Sequence, residues 1–161
     1  MKLGVMADSH DNLTFVRKAV AIFNREKVDF VLHAGDYVAP FCVKVLKELN
    51  CPFRGVLGNN DGESEGLYQI SDGNITKAPL KLSFGGRKIV VLHYPDLAEK
   101  FLHSRRFNVI IYGHTHQPLL KKEEGVLVVN PGECGGWTTG KSSVAIVDLE
   151  KLTARHIWIK K

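Results

Sequence analysis

The sequence predicts an α/β protein in which two sheets face each other and helices cover their outer sides. In the first third of the chain, short apolar runs alternate with helical patterns, as in βαβ units around a largely parallel sheet. In the last third, apolar runs follow one another without a helix between them, which is typical of antiparallel strands. Two facing sheets with helices outside would bury all of these runs.

The N-terminal elements alternate between strand and helix. Leu3 and Val5 lie in a first strand, and a polar turn follows it. Apolar residues then recur with the i, i+3, i+4, i+7 spacing of one helix face, at Val16, Ala19, Val20 and Phe23. Asp11 or Asn12 can cap this helix, because either side chain can accept a hydrogen bond from a free backbone N–H. The next predicted elements are a strand over 30–32, a helix from 40 to about 49 and a strand over 53–57.

The second half of the chain changes character. Leu80, Leu82 and Phe84 alternate with polar residues, and Gly85-Gly86 predicts a two-residue hairpin turn. The remaining predicted elements are a strand over 88–92, a short helix near 97–103, and strands over 109–112, 119–121, 125–129 and 144–147 and around 156–159.

Length and composition predict one globular domain over residues 1–161. The chain is 44% apolar and 24% charged, and it contains no linker or internal repeat. No apolar run approaches the ~20 residues of a membrane-spanning helix, and the N-terminus lacks a secretory apolar region, so we expect a cytoplasmic protein without a membrane partner. Cys42, Cys51 and Cys134 form no C-x-x-C pair, which argues against a disulfide framework.

The net charge of +5 predicts a solvated basic surface with mild attraction for anions. The basic residues are scattered and have no interleaved aromatic residues, so we expect no dedicated nucleic-acid surface. Homo-oligomers are common enough that we do not assume a monomer.

Seven potential metal ligands each follow an apolar strand: Asp8, His10, Asp36, Asn59, His93, His114 and His116. Singly, each has an ordinary explanation, such as a helix cap or a turn residue. Because residues i and i+2 of an extended segment point to the same side, Asp8 and His10 could reach one ion together. Three oxygen donors and four imidazoles favour manganese, iron, cobalt, nickel or zinc over calcium or magnesium. The set is too large for one tetrahedral ion.

In chain order, the motifs Ala-Asp-Ser-His, His-Ala-Gly-Asp, Gly-Asn-Asn-Asp, a lone His and Gly-His-Thr-His resemble the calcineurin-like metallophosphoesterase superfamily, especially its compact archaeal and bacterial phosphodiesterases. The resemblance implies a four-layer α/β/β/α sandwich of two mixed sheets flanked by helices. It also implies two divalent ions per chain, with manganese or nickel favoured, and a hydroxide between them. Asp36 would bridge the ions, with Asp8, His10 and His116 on one and Asn59, His93 and His114 on the other.

The chain departs from the common family pattern in the third motif. Many relatives carry a histidine where this chain has Asn60, followed here by Asp61, and we take both residues as catalytic candidates. Asn60 can donate a hydrogen bond but cannot give up a proton, and general-acid catalysis typically contributes ~10²–10⁴-fold. We therefore expect aryl or strained cyclic diesters to react well and simple alkyl esters slowly. Tyr94 and Glu133 also replace residues common in relatives, and His33 is a candidate neighbour of the ligands.

The predicted function is a metal-dependent phosphoesterase that hydrolyses small phosphodiesters. One alternative is a protein-binding scaffold of the same fold, like the retromer subunit, whose metal site is degraded. Another is a structural zinc site, but such sites are usually closed, four-coordinate and rich in thiolates. Seven ligand residues without a cysteine among them favour the enzyme.

Overall fold

The computed structural model describes residues 1–160, which form eleven strands and four helices. The helices are α1 (Leu13–Glu26), α2 (Phe41–Leu46), α3 (Ser64–Ile70) and α4 (Asp96–His103). The strands are β1 (Lys2–Met6), β2 (Phe30–His33), β3 (Phe53–Val56), β4 (Ile75–Thr76), β5 (Leu80–Phe84), β6 (Arg87–Val91), β7 (Val109–Ile111), β8 (Leu119–Glu123), β9 (Val126–Asn130), β10 (Ser142–Asp148) and β11 (Thr153–Ile159).

The strands form two mixed sheets. The six-stranded sheet has the order β11-β10-β1-β2-β3-β4, in which β1 to β4 are parallel and β10 and β11 pair antiparallel. The five-stranded sheet has the order β5-β6-β7-β9-β8, in which the three central strands are parallel and the two edge strands are antiparallel. The predicted hairpin at Gly85-Gly86 joins β5 to β6, and both glycines have positive φ, as a two-residue turn requires.

Alternating side chains of the strands build a core on each side of both sheets. In β1, Leu3 and Val5 point into the space between the sheets, whereas Met6 faces α1 and α2. In β7, Val109 and Ile111 join the same inter-sheet core, and Ile110 faces α4. Since one face of each sheet meets the other sheet and the opposite face meets helices, the predicted four-layer α/β/β/α sandwich is confirmed.

Helix α1 packs very closely on the first sheet. A Cβ atom added to Gly4 of β1 would lie 2.6 Å from Cδ1 of the fully buried Phe23. Glycine at this strand position therefore lets the aromatic ring lie directly on the backbone. On the far side of the molecule, α4 is the helix that covers the second sheet. No helix among residues 1–160 is long and apolar enough to cross a membrane.

Three local predictions need correction. Helix α3 and strand β4 were not predicted, because the segment from 60 to 76 is too polar to give a clear period. Helix α2 ends at Leu46 rather than near Leu49. Asn12 is the N-cap residue of α1, but its side chain makes no capping bond and instead donates to the carbonyl of Gly135 at 2.7 Å.

We expect Gly4→Ala to lower the free energy of unfolding by about 1–3 kcal/mol, because the new methyl group overlaps the Phe23 ring in a packed core. Chemical denaturation of both proteins measures this. Gly62→Ala is the matched control, since a Cβ there meets nothing within 4 Å and φ is not positive. Equal stability of the two variants would contradict the close packing described here.

Candidate metal centre

The predicted ligands lie in loops that follow parallel strands of both sheets. Loops after β1, β2 and β3 come from the first sheet, and loops after β6 and β7 come from the second. The side chains converge through left-handed backbone conformations rather than through strand alternation, so our explanation from i, i+2 spacing was wrong. Positive φ angles of 44–67° occur at Asp8, His10, Asp36, His114 and His116. Such angles are rare outside glycine and cluster at functional sites.

Two glycines let the loops approach one another beneath these side chains. Gly35 has φ of +98°, and a Cβ there would lie 2.5 Å from Nδ1 of His93. A Cβ on Gly58 would overlap the Asp36 carboxylate. The motif glycines are therefore needed for close approach, in addition to any turn that they form.

A first donor set forms around His116. Its Nε2 lies 3.2 Å from Nε2 of His10 and 3.6 Å from Oδ1 of Asp8, and Nε2 of His10 lies 3.9 Å from Oδ2 of Asp36. One donor atom from each of these four residues lies within 4.8 Å of the others. The group has the composition and spacing of a cation site.

A second donor set forms around Asn59. Its Oδ1 lies 2.8 Å from Nε2 of His93 and 2.8 Å from Nδ1 of His114. Nε2 of His93 also lies 3.5 Å from Oδ1 of Asp36. The Asp36 carboxylate, which is 1% exposed, thus directs one oxygen towards each donor set. The structure brings all seven predicted ligands together.

The hydrogen bonds of His93 indicate that a cation fits between these groups. Its Nδ1 is 2.8 Å from the carbonyl oxygen of Ala34, so Nδ1 carries the proton and donates it there. In the neutral ring, which is the form that binds metals, Nε2 has a lone pair that faces two acceptors, the oxygens of Asn59 and Asp36. Converging lone pairs repel unless a positive charge lies among them. A metal ligand whose other ring nitrogen donates to a carbonyl is a common arrangement for histidine.

In the first donor set, His116 also has a ring nitrogen that faces other potential metal ligands. Its Nδ1 is buried without a hydrogen-bond partner, and the nearest carboxylate oxygen, Oε2 of Glu133, is 3.6 Å away. Burial alone would raise the pKa of Glu133, but hydrogen bonds from Thr138 and Thr139 hold it below its usual value. A charged Glu133 therefore faces the Nδ1 side of His116, and Nε2 faces Asp8 and His10.

The electrostatics of the buried carboxylates also fit a cation. Burial, followed by the charge of Asp36, raises the pKa of Asp8 from 3.8 to about 8. Burial likewise lowers the pKa of His10, which favours the neutral form that binds metals. Oxygen and imidazole donors without a thiolate suit divalent ions from manganese to zinc.

Asn60 and Asp61 both act on Asp36 in this structure. Asn60 donates its backbone N–H to Oδ1 at 2.9 Å and its Nδ2–H to Oδ2 at 2.7 Å. Asp61 is buried and accepts backbone N–H groups of Asp36, Val38 and Gly58, at 3.1, 2.7 and 2.7 Å. These contacts position the loops after β2 and β3. A catalytic role of either residue stays a prediction.

His33 lies behind the site and joins two loops. Gly35 donates its N–H to Nδ1 of His33, so Nε2 carries the proton and donates to Oγ of Ser9 at 3.0 Å. Oγ of Ser9 in turn donates to the carbonyl of Asp36 at 3.3 Å. Burial holds the pKa of His33 well below its usual value, which keeps the ring neutral. Ser9 was missed from the sequence, although it lies between two predicted ligands.

Two exposed aromatic residues flank the donor sets. The ring of Tyr94 lies 4.6 Å from that of His114, and Nε1–H of Trp137 donates to the carbonyl of His10 at 3.2 Å. Trp137 was not predicted from the sequence, because it lies outside every ligand motif. Its two preceding glycines were the available signal for a special loop.

Known proteins share the sequence and the fold of this chain to different degrees. The phosphodiesterase MJ0936 of Methanocaldococcus jannaschii is 39% identical over 163 residues, which cover 98% of each chain. A solved structure of an archaeal phosphodiesterase superposes with a TM-score of 0.91 at 39% identity, over 99% of this chain and 100% of that one. Vps29 of Chaetomium thermophilum shares the fold at a TM-score of 0.74 and 17% identity, over 100% of this chain and 95% of that one.

Residues 1–152 match the family described as the calcineurin-like phosphoesterase superfamily domain, which is nearly the whole chain and includes every predicted ligand. With a relative at 39% identity over nearly the full length of both chains, the assignment is clear. The chain belongs to the calcineurin-like phosphoesterase superfamily.

Proposed function

We propose that this protein is a metal-dependent phosphodiesterase that hydrolyses small phosphodiesters with two divalent ions. The observation that carries the proposal is the position of Asp36, whose two carboxylate oxygens face separate donor sets. A carboxylate shared in this way is suited to bridge two ions. The proposed ligands are Asp8, His10 and His116 for one ion and Asn59, His93 and His114 for the other.

When bound, two divalent ions supply an activated water at neutral pH and neutralise charge on the phosphoryl oxygens. The side chains of the site provide the conditions for this chemistry. Asp8 and Asp36 would cancel two of the four positive charges that two divalent ions bring. Asn60 restrains both oxygens of Asp36 through its two hydrogen bonds. The donor set favours manganese or nickel in our proposal, with iron, cobalt and zinc as alternatives.

The preference for diesters is supported by the relative from Methanocaldococcus jannaschii, which is named a phosphodiesterase and matches this chain over nearly its full length. The likeness to Vps29, at 17% identity, concerns the fold alone. A purely protein-binding role would not need seven donor side chains that converge at one site. Those donors favour catalysis over a purely protein-binding role.

We expect metal-stripped protein to be inactive towards bis(4-nitrophenyl) phosphate and to regain activity with manganese or nickel. Asp36→Asn keeps the side-chain shape but removes the charge between the donor sets, so kcat/KM at saturating metal should fall by about 100-fold or more. Asp72→Asn is the control, since this exposed aspartate lies outside the site. Full activity of Asp36→Asn, or activity without metal, would contradict the proposal.

The metal-free protein should lose stability as pH rises from 7 to 8. An unfolded chain releases the Asp8 proton near pH 3.8, whereas the folded chain keeps it until about pH 8. The folded state binds more protons in this window, so its free energy of unfolding decreases with increasing pH. Near pH 6.5 the lowered pKa values of His10 and His33 have the opposite effect, so the comparison is made above that range. We expect a lower Tm at pH 8 than at pH 7, a smaller decrease in Asp8→Asn, and a larger stabilisation by metal at pH 8. The same pH dependence in both proteins would contradict the role of Asp8.

Asn60→His should favour substrates with poor leaving groups. The variant loses the side-chain bond to Asp36 for every substrate, so the informative quantity is the ratio of rates for an alkyl diester and an aryl diester. A histidine can protonate a leaving oxygen and asparagine cannot, so this ratio should rise, by up to ~10²-fold. Steady-state kinetics with the two substrates measures it. An unchanged ratio would contradict the hypothesis that a side chain at position 60 protonates the leaving oxygen.

A further inference from the structure

We propose that Trp137 is a stacking surface for a planar aromatic group of the substrate, so that the site selects phosphodiesters carrying an aryl group or a nucleobase. The proposal rests on the proposed function, because it concerns substrate recognition at the same site. Three observations carry it: how the Trp137 loop is attached to the donor sets, how the indole is oriented, and what space lies beside the first donor set.

The segment before Trp137 is fixed against the loop that carries Asp8 and His10. Cys134 donates its backbone N–H to the carbonyl of Ala7, and Gly135 donates to the carbonyl of Asp8, both at 2.9 Å. The side chain of Asn12 holds the carbonyl of Gly135 at 2.7 Å. Trp137 is therefore placed beside the first donor set by backbone hydrogen bonds.

The segment after Trp137 is fixed by Glu133. Its carboxylate accepts the backbone N–H groups of Thr138 and Thr139 at 2.9 Å each and the Thr139 hydroxyl at 2.8 Å. The same carboxylate lies 3.6 Å from Nδ1 of His116. The buried Glu133 carboxylate thus holds the Trp137 loop and also faces His116, so the loop has a fixed position relative to the first donor set.

The indole itself is held by its polar edge and exposed over most of its surface. Nε1–H donates to the carbonyl of His10 at 3.2 Å, while 69% of the residue is accessible to solvent. A tryptophan oriented by one hydrogen bond and otherwise uncovered has ring surface free for a ligand. Such surface favours a flat, apolar group, and stacking on it does not depend on a particular hydrogen-bond pattern.

Space for the rest of a diester lies on the His116 side of the first donor set. A cavity of about 420 Å³ is bounded there by His116, Glu133, Thr139, Lys141, Ser143 and Trp158, and the Trp137 loop reaches it through Thr139. Tyr94, 44% exposed, packs on His114 beside the second donor set. Aromatic surface therefore borders both sets, and Trp137 is the more exposed of the two residues.

The test compares three phosphate monoesters as competitive inhibitors: methyl phosphate, phenyl phosphate and thymidine 5′-monophosphate. All three present the same phosphate to the metal centre, so differences in Ki report the attached group. We expect phenyl phosphate and the nucleotide to bind about tenfold more tightly than methyl phosphate. Trp137→Ala should abolish this difference, and Trp137→Phe should keep most of it. A stronger advantage for the nucleotide than for phenyl phosphate would assign the group as a nucleobase.

Trp158→Ala is the control, because Trp158 is also exposed, at 54%, and it lines the cavity beside His116, which Trp137 does not. We expect this variant to keep the preference for aromatic esters. Equal Ki values for methyl and phenyl phosphate in the unaltered protein, or loss of the preference in Trp158→Ala rather than in Trp137→Ala, would overturn the proposal.

A direct binding measurement separates this proposal from the proposed function. The chain has two tryptophans, so Trp158→Phe leaves Trp137 as the sole indole. In the zinc-loaded variant, phenyl phosphate and thymidine 5′-monophosphate should change the indole fluorescence, and methyl phosphate should not. If the fluorescence changes but no diester is hydrolysed, stacking on Trp137 is supported and the proposed function is contradicted. If diesters are hydrolysed but the fluorescence does not change, the proposed function is supported and stacking on Trp137 is contradicted.

Discussion

The arrangement of the site depends on the buried carboxylate of Asp36. Each of its oxygens faces a different donor set, and Asn60 donates a hydrogen bond to each oxygen. The backbone of Asp36 is restrained as well, by Asp61 at its N–H and by Ser9 at its carbonyl. A carboxylate buried among imidazoles and a second carboxylate is costly without a positive charge nearby. The surrounding loops are therefore arranged around a position that a cation would stabilise.

In the four-layer fold, loops from both sheets contribute donor residues to the site. The loops that follow parallel strands of the two sheets meet at one edge of the sandwich, so donors distant in sequence become neighbours. Left-handed conformations at five of the seven predicted ligands then turn the side chains inwards. Gly35 and Gly58 remove the Cβ atoms that would otherwise overlap His93 and Asp36. Packing of the inter-sheet core beneath the ligands stabilises these unfavourable backbone conformations.

Much of the fold was predictable because the strands bury side chains with a strict period of two, and because α1 shows a clear apolar face. The seven ligands were predictable as a set because five motifs occur in the family order. Contacts that depend on the three-dimensional path were not predictable. Asn12 binds Gly135 rather than capping α1, and Trp137 reaches His10 from 127 positions away in the chain. The left-handed backbone angles at Asp8 and His10 could not be predicted from the sequence either, because neither residue type requires a positive φ.

The central claim is that Asp36 lies between two metal ions, and anomalous diffraction from crystals grown with manganese tests it most directly. We expect two anomalous peaks roughly 3.5–4 Å apart on either side of the Asp36 carboxylate. One peak should contact Asp8, His10 and His116, and the other Asn59, His93 and His114. A single peak with four protein ligands, or two peaks of which neither contacts Asp36, would contradict the account.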